Sequence, residues 1–497
     1  MLKKNKKIIT LITLTIIFLY ALFLRIYKIQ EQSYWIDEAF TINAVLETIE
    51  KGYPLLDSGE YYSRALLNTY LTSASVSILG FNEFSTRIIS LIFGVLSIYL
   101  IFLLSKKVFN TNIALLASFM TSFSYWQIAW SRQARMYTQL QFFFFLSIYL
   151  FNSLLEKFSY KKLVFLFLST LAAILSHYFG YFLIVIYFSI LTIKLLNNKE
   201  KILLFYQKVK TNKILSGFLL LLFFFLSYKL SKDFFTYILT KERNLFWEYI
   251  NFIHYFFPVL YILALFGLAI SLKAKPAKEK ASHILLGLSF FIPFLTISLV
   301  SDLKMFRYLF FITPLIFIFF SFFIDYISKK TRWKNLSFIL LSFLIIILSS
   351  SLNIRVFNFK PISHYYLEPL TPQSNFKGAY KKILDNGFDE NKIIISPYSA
   401  LDRIYLKRSD YCLAMSLHND QKSKNKIKER DYYNNTPHIF KKEELEEIIN
   451  KNSGYIMIDY MAIQGRLKQE IIDYIFKQEL IFKDEYQLNN QVWVFKF

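Results

Sequence analysis

Residues 8–28 read IITLITLTIIFLYALFLRIYK, an apolar run that follows a cluster of lysines at the N-terminus. A helix needs roughly 20 apolar residues to cross the hydrocarbon core of a bilayer, and this run has that length. It exceeds the apolar core of a secretory signal peptide, which has about 7–15 residues, and no small-residue cleavage site follows it. We therefore expect an uncleaved first membrane span.

Apolar runs of similar size recur along the first 352 residues. Hydrophobic residues make up 55% of the 497-residue chain, whereas soluble domains contain about 45–50% apolar residues. The sequence therefore predicts an α-helical polytopic membrane protein with about eleven transmembrane helices. The expected spans lie near residues 8–28, 88–104, 113–130, 137–155, 163–176, 178–196, 214–231, 249–272, 283–300, 305–327 and 336–352.

The distribution of charge predicts how these helices are oriented. The net charge of +23 could indicate nucleic-acid binding, but membrane proteins also collect Lys and Arg in their cytoplasmic loops. Every second connection is basic, starting from the N-terminus, which explains the charge without a nucleic-acid partner. We expect an integral protein of the plasma membrane with a cytoplasmic N-terminus and an extracytoplasmic C-terminal region. The basic connections lie at 106–107, 157–162, 199–213, 273–280 and 329–334.

The C-terminal region, residues 353–497, alternates helical and strand-like patterns. This alternation predicts a small extracytoplasmic α/β domain with a partly parallel sheet, following a transmembrane catalytic region at 1–352. The single cysteine, Cys412, excludes a disulfide framework and a cysteine-based metal cluster within the chain. The predicted helices lie at 376–386, 441–450 and 465–478, and the predicted strands at 392–396, 455–459 and 491–497.

The first outer segment, residues 30–87, is too long for a simple turn. It opens with WIDEA at 35–39, which places Asp37 and Glu38 close to the end of the first span. Apolar residues recur at helical spacing on both sides of the GYP break at 52–54, which predicts two amphipathic juxtamembrane helices. Carboxylates at that depth are costly and are therefore functional candidates. The alternative is that Asp37 caps a helix and Glu38 suits its first turn.

Other unusual polar residues fall in later outer connections. Arg132 and Arg135 lie in SRQARMY at 131–137, and their spacing places both guanidinium groups on one side of a helical turn, where they suit phosphate. The alternative partners are lipid headgroups or an acidic loop. Arg307 begins a late span, where snorkelling to headgroups is the alternative explanation.

A histidine in an aromatic setting completes the outer polar groups. His177 and Tyr178 lie in SHYFGY at 176–181, and a lone histidine among aromatic residues is typical of a hydrogen-bonded structural residue. No second ligand stands at metal-binding spacing, so no metal site is expected there. Together these outer groups suit an anionic, partly lipidic substrate that is reached from the outer leaflet.

With these residues in place, the chain resembles the GT-C superfamily of polyprenyl-phosphate-sugar-dependent glycosyltransferases, close to the protein O-mannosyltransferases and the lipid A aminoarabinose transferase. The resemblance covers about residues 8–352. It implies a membrane glycosyltransferase that moves a sugar, with inversion, from a polyprenyl-phosphate donor to an extracytoplasmic protein, lipid or cell-surface glycan. The matching stretches are WIDEA at 35–39, GYP at 52–54, SRQARMY at 131–137, HYFG at 177–180, and Arg307-Tyr308 before Pro314.

The resemblance also implies roles for individual residues. Asp37 takes the place of the catalytic base, a role worth about 10²–10⁴-fold in rate, and Glu38 orients the acceptor or a neighbouring helix. Arg132, Arg135 and Arg307 bind the donor phosphate and stabilise the charge that develops on it. The candidate substrate contacts are Glu60, Arg64, Tyr137, His177, Tyr178 and Tyr308.

The sequence departs from the family pattern at two places. The second outer loop lacks the Asp-x-Asp pair of the metal-dependent oligosaccharyltransferases, which favours a metal-independent mode. No cofactor is assigned, and a divalent metal stays the less favoured alternative. The Lys-Pro-Pro stretch of the lipid A aminoarabinose branch is replaced by YYSRALL at 61–67, so lipid A is not supported as the acceptor.

Two alternative functions remain open at this stage. A surface-polysaccharide polymerase or ligase is also polytopic and also uses lipid-linked sugars, but such proteins usually lack a carboxylate pair after the first span. A transporter of lipid-linked sugars is the alternative from another class. Transporters often show internal repeats and broken helices near the midplane, whereas this sequence shows no repeat and places its polar residues at the outer ends of spans.

Overall fold

The computed structural model describes residues 2–197, 245–273, 277–300, 305–351, 356–363, 365, 374–415, 429–464, 466–484 and 491–497. The chain forms two compact units. Unit 1 comprises Met1–Arg25, Ser90–Ser131 and Met136–Pro361. Unit 2 comprises Ile26–Ile89, Arg132–Arg135 and Ile362–Phe497, so it combines the first outer segment, a four-residue turn and the C-terminal region.

The first 351 residues are helical wherever the structure describes them, apart from connections. Short 3₁₀ helices at Tyr178–Tyr181 and Phe306–Ile312 precede two of the α-helices. The α-helices are α1 (Leu2–Ile26), α2 (Ile36–Lys51), α3 (Leu66–Leu79), α4 (Glu83–Val108), α5 (Thr111–Phe123), α6 (Tyr125–Ser131), α7 (Tyr137–Glu156), α8 (Tyr160–Ser176), α9 (Phe182–Asn197), α10 (Phe246–Phe256), α11 (Leu260–Ser271), α12 (Ala277–Val300), α13 (Thr313–Ser328) and α14 (Lys334–Ser351).

Several of these helices have the length and composition of membrane spans. Among the described residues, four helices pass this test, and the number rises to six if each of two bent pairs counts as one span. Shorter apolar helices accompany them. The predicted span near 214–231 lies outside the described residues, and the total of about eleven stays a prediction. The four long spans are Lys7–Ile26, Glu83–Val108, Tyr137–Glu156 and Glu279–Leu299.

Three expected spans are not continuous helices, which corrects the sequence prediction. The run near 113–130 divides at Ser124 into α5 and α6, and the run near 249–272 bends by 104° between α10 and α11. Pro258 lies at the second break, where its missing N–H cannot continue a helical ladder. The run near 305–327 bends by 51°, and Pro314 lies in the first turn of α13, where a proline is well tolerated.

The first outer segment contains the two predicted helices, α2 and α3. Helix α2 ends at Gly52, whose φ of 79° is a left-handed conformation that glycine adopts without steric cost. The backbone N–H of Gly52 donates to the carbonyl oxygen of Thr48, which satisfies one of the free carbonyl groups at the end of the helix. The break predicted at 52–54 is therefore confirmed.

The C-terminal region folds around a six-stranded sheet of order β3-β2-β1-β4-β6-β5. Strands β1, β2, β3 and β4 pair in parallel, whereas β6 is antiparallel to both β4 and β5. The predicted partly parallel sheet is therefore confirmed. The elements are α15 (Phe376–Asp385), β1 (Lys392–Ser396), α16 (Ser399–Leu406), β2 (Tyr411–Leu413), β3 (His438–Ile439), α17 (Lys442–Lys451), β4 (Ser453–Asp459), α18 (Tyr460–Ile463), α19 (Gln469–Ile475), β5 (Glu479–Lys483) and β6 (Val492–Lys496).

Unit 2 has a hydrophobic core that the first outer segment and the C-terminal sheet build together. Ala39 and Ile42 of α2 are fully buried in it with Tyr380 of α15 and Leu401 of α16. Burial of each larger aliphatic side chain stabilises the folded state by about 1.5–3 kcal/mol. The helix that carries the carboxylate pair is thus packed directly on the C-terminal region.

Candidate functional site

The carboxylate pair lies in the first turn of α2. Trp35 occupies the N-cap position in an extended conformation, and no side chain caps the helix there. Asp37 is therefore not the N-cap, so that part of the alternative is wrong. Glu38 does lie in the first turn, as the alternative expects. Consecutive helical residues point about 100° apart, so Asp37 and Glu38 face different surroundings. The Asp37 side chain keeps 20% of its surface exposed, whereas the Glu38 side chain keeps none.

Glu38 is enclosed by hydrogen-bond donors. Arg87, from the start of α4, binds both carboxylate oxygens through Nε and Nη2 at 2.9 Å each. The backbone N–H of Ala134 donates to the same carboxylate at 2.7 Å. Arg87 also donates to the carbonyl oxygens of Ile29 and Ser33 at 2.7 and 3.0 Å, and it too is fully buried. A bidentate, fully desolvated pair of this kind fixes three chain segments against each other and leaves Glu38 no access to a substrate.

Asp37 faces Arg135, from the turn at 132–135. The Arg135 Nη2 atom lies 3.5 Å from Asp37 Oδ2. Its Nη1 atom donates to the Asp37 carbonyl oxygen at 2.6 Å and to Thr41 Oγ1 at 2.7 Å. These contacts orient the guanidinium group beside the carboxylate. The partly exposed Asp37 is therefore the member of the pair that a substrate can reach.

Arg132 is held by groups of unit 2. Its Nη1 atom donates to the carbonyl oxygen of Tyr27 at 2.6 Å, and its Nη2 atom donates to that of Ser363 at 2.8 Å. The guanidinium group also lies 5.0 Å from the centre of the Tyr365 ring, a cation–π arrangement. Burial lowers the pKa of Arg132 to about 10, so the side chain stays cationic at neutral pH. Its predicted part in phosphate binding stays a prediction.

Glu60 and Arg64 lie in the connection between α2 and α3. This connection is a short hairpin in which Leu55 and Tyr61 form an antiparallel bridge, and both predicted side chains are exposed. Arg64 acts electrostatically on Tyr433, a residue of the C-terminal region on which Asp37 and Arg135 also act. Arg64 therefore lies within electrostatic range of Tyr433, and Glu60 lies on the surface of the hairpin.

The remaining predicted residues belong to unit 1, where they form an aromatic group. The His177 ring stacks on Tyr178 at 4.3 Å and lies 5.8 Å from Tyr137 and 6.2 Å from Tyr308, measured between ring centres. His177 Nδ1 also accepts a hydrogen bond from the backbone N–H of Phe179 at 3.2 Å. His177 is therefore a hydrogen-bonded histidine among aromatic side chains, as its sequence context predicts.

Arg307 lies at the edge of this aromatic group. Its guanidinium carbon is 6.0 Å from the centre of the Tyr308 ring. Within the described residues, no group of three or more His, Cys, Asp or Glu side chains is placed to hold a metal ion.

The predicted site residues divide between the two units. Unit 2 contains Asp37, Glu38, Glu60, Arg64, Arg132 and Arg135, and unit 1 contains Tyr137, His177, Tyr178, Arg307 and Tyr308.

Sequence reasoning missed two residues that the structure places at the carboxylate pair. Arg87 is the partner of Glu38, and its only sequence signal is a cation within the first turns of an apolar helix, where a charge is costly without a partner. Tyr433 stands out by no local pattern, because a tyrosine in a polar loop is ordinary. Only the fold brings either of them to α2.

A family model and solved structures resemble this chain. Residues 63–228 match the model described as dolichyl-phosphate-mannose-protein mannosyltransferase. No curated protein matches the chain. The oligosaccharyltransferase AglB of Archaeoglobus fulgidus, solved with an inhibitory peptide and a dolichol-phosphate, is similar with a TM-score of 0.62 at 12% identity, over 98% of this chain and 74% of that one.

A bacterial protein gives a similar result over nearly its whole length. ArnT of Cupriavidus metallidurans in the apo state has a TM-score of 0.60 at 10% identity, over 100% of this chain and 98% of that one. Its structure bound to undecaprenyl phosphate has a TM-score of 0.59 at 10% identity, over 99% and 98%. At such identities the likeness establishes the fold.

Proposed function

We propose that this chain is a membrane glycosyltransferase of the GT-C superfamily. It transfers a sugar, with inversion, from a polyprenyl-phosphate donor to an extracytoplasmic acceptor. The family match over residues 63–228 and the fold support this proposal. The observation that supports this reaction is the different placement of two adjacent carboxylates. Glu38 is enclosed by Arg87 and Ala134, whereas Asp37 keeps an accessible face beside Arg135. One accessible base is what an inverting transfer requires.

Asp37 removes the proton from the acceptor hydroxyl or amine while that atom attacks the anomeric carbon of the sugar. The bond between that carbon and the phosphate oxygen breaks, and the electron pair leaves with the polyprenyl phosphate. Arg135 orients Asp37 through its backbone and side-chain contacts, and its cationic group stabilises the negative charge that grows on the leaving phosphate. Glu38 acts through Arg87 as a positioning residue that keeps the first turn of α2 in place.

The charge pattern supports an orientation with the N-terminus in the cytoplasm and the carboxylate pair on the outer side of the plasma membrane. Sugar donors carried on a polyprenyl phosphate would then be approached from the outer leaflet. Two similar solved structures were determined with dolichol-phosphate and with undecaprenyl phosphate, which supports a polyprenyl-phosphate donor. The acceptor is a protein, a lipid or a cell-surface glycan.

The reaction is tested with membranes that contain the full chain and a panel of radiolabelled polyprenyl-phosphate sugars. Release of polyprenyl phosphate is followed for the wild type, for Asp37→Asn, and for Glu50→Gln as the matched control. Glu50 is an exposed carboxylate near the other end of α2, so its loss tests nothing but surface charge on the same helix. We expect Asp37→Asn to lower release by at least about 100-fold and Glu50→Gln to leave it unchanged.

Equal release by the wild type and Asp37→Asn, at equal protein levels, would show that Asp37 is not the base. If no donor is consumed even with native acceptor membranes present, transport of lipid-linked sugars becomes the better explanation.

A further inference from the structure

A loop of the C-terminal region places an aromatic side chain next to Asp37. This Tyr433 loop, residues 429–436, precedes β3. The Tyr433 ring stacks on Phe40 with 3.9 Å between ring centres and 3° between ring planes. Phe40 follows Asp37 by three positions on α2, and residues with this spacing share one face of a helix. Tyr433 therefore packs on the same face of α2 that carries the proposed base.

The conformation of the Tyr433 loop is set by its own hydrogen bonds. The Asp431 carboxylate accepts from the backbone N–H groups of Tyr433 and Asn434 at 2.9 and 2.8 Å. The backbone N–H of Asp431 donates to the Thr436 carbonyl oxygen at 2.8 Å, which closes the turn. These contacts hold Tyr433 in position before any substrate binds, which reduces the entropy lost on binding.

The Tyr433 ring also packs against Ala44, Leu56 and Tyr62 of the first outer segment. Its phenol lies within electrostatic range of Tyr62, of the guanidinium groups of Arg64 and Arg135, and of the Asp37 carboxylate. Burial raises the pKa of Tyr433 well above its ordinary value, so the hydroxyl keeps its proton at neutral pH and serves as a hydrogen-bond donor. The ring is half-buried, so the hydroxyl is partly sheltered from bulk water. A sheltered donor near the proposed base suits a hydrogen bond to a ligand oxygen.

We propose that Tyr433 is a further substrate-contacting residue, which donates a hydrogen bond to an acceptor oxygen next to the atom that Asp37 deprotonates. The inference rests on the proposed function, because only the acceptor has to contact the base. It predicts an acceptor that carries an oxygen close to its nucleophile, as polyhydroxylated and peptide-like acceptors do. The C-terminal region thereby takes part in acceptor selection through Tyr433.

The experiment compares Tyr433→Phe and Tyr433→Ala with the wild type, with Tyr432→Phe as the matched control. Tyr433→Phe keeps the ring that stacks on Phe40 and removes only the hydroxyl, while Tyr432 is the exposed neighbour. Full-length protein in detergent is supplied with radiolabelled polyprenyl-phosphate sugar and with envelope membranes from cells that lack the enzyme. The rate of polyprenyl-phosphate release is measured while donor and envelope membranes are varied separately.

We expect Tyr433→Phe to raise the amount of envelope membranes needed for the half-maximal rate by about five- to tenfold, which corresponds to one lost hydrogen bond. The KM for the donor stays within about twofold, and Tyr432→Phe matches the wild type. An unchanged acceptor requirement in Tyr433→Phe, or a loss confined to kcat or to the donor KM, would overturn the inference while leaving the proposed function intact.

Failure of the proposed function has a different signature. In that case the wild type consumes no donor, or Asp37→Asn is as active as the wild type, and both proposals fall together. Poor folding of Tyr433→Ala does not decide the matter, because Tyr433→Phe preserves the packing and carries the test.

Discussion

Glu38 and Asp402 are both fully buried carboxylates of unit 2, but they have different hydrogen-bond partners. Glu38 is bound on both oxygens by the Arg87 guanidinium, with a further hydrogen bond from Ala134. Asp402, on α16, accepts hydrogen bonds from the hydroxyls of Tyr380 and Ser396 at 2.7 Å each, and from Ser409 at 3.0 Å. The two sites place equal numbers of donors around a carboxylate, but only the first places a cation in direct contact with it.

The presence or absence of a contacting cation gives the two buried carboxyl groups different properties. A cation in contact neutralises the buried charge, so Glu38 works as a fixed connection between α2, α4 and the turn at 132–135. Hydroxyl donors compensate the loss of hydration only in part, and burial raises the pKa of Asp402 to about 7. The segment around the proposed base is therefore held by a buried ion pair, while the C-terminal sheet region has a buried carboxyl, Asp402, with a pKa of about 7.

Removal of the cation from the first site is expected to have the largest effect. Arg87→Met leaves Glu38 buried and unpaired, and we expect it to lower the free energy of unfolding by about 3–5 kcal/mol. The measurement is an SDS titration of the detergent-solubilised protein, with glycosyl transfer recorded alongside. Lys107→Met is the matched control, because it breaks a partly exposed pair with Glu156 and should cost at most about 1 kcal/mol. Equal losses in both variants would mean that the Glu38 pair is no stronger than a surface pair.

The second site is expected to give an intermediate effect that depends on pH. Folded Asp402 keeps its proton up to about pH 7, whereas in the unfolded chain it loses the proton near pH 4. The folded state binds more protons within this window, so stability falls as the pH rises through it. We expect the wild type to lose about 2 kcal/mol of unfolding free energy between about pH 5 and about pH 7.

Asp402→Asn tests this assignment, because an amide of the same shape does not ionise. Its unfolding free energy should change less over the same pH range. Some dependence should remain, since burial also raises the pKa of Asp459, which accepts hydrogen bonds from Tyr398 and Ser374. Identical pH profiles for the wild type and Asp402→Asn would show that another group is responsible.

Another fully buried carboxylate, Glu47 of α2, gives the prediction with the smallest expected effect. It contacts two cations, Lys51 of the same helix and Arg403 of α16. Because Lys51 remains, we expect Arg403→Gln to cost only about 1–2 kcal/mol of unfolding free energy in the same SDS titration. The control is Lys442→Gln, which breaks an exposed pair with Glu446 on α17 and should cost less than about 0.5 kcal/mol. A loss as large as that of Arg87→Met would mean that Lys51 does not compensate.

Periodic patterns explain why much of the fold could be predicted from the sequence. The runs at 392–396 and 376–386 form β1 and α15 almost residue for residue, because a short run of β-branched apolar residues and helical spacing are local signals. Strands β2 and β3 have only three and two residues, too few to show a period. The broken spans were missed for a related reason, since hydropathy registers apolar length and does not register where a helix bends.

The sequence by itself determined that this is a polytopic membrane protein with an α/β C-terminal region, and that Asp37 and Glu38 were the residues to examine. Tertiary structure alone decided which of the two side chains stays accessible from outside the fold. The partners of Glu38 lie 49 and 96 positions away along the chain, at Arg87 and Ala134, and Tyr433 comes from the far end of it. Adjacent residues on a helix have nearly the same sequence context but point in different directions, so burial and pairing depend on segments that only folding brings together.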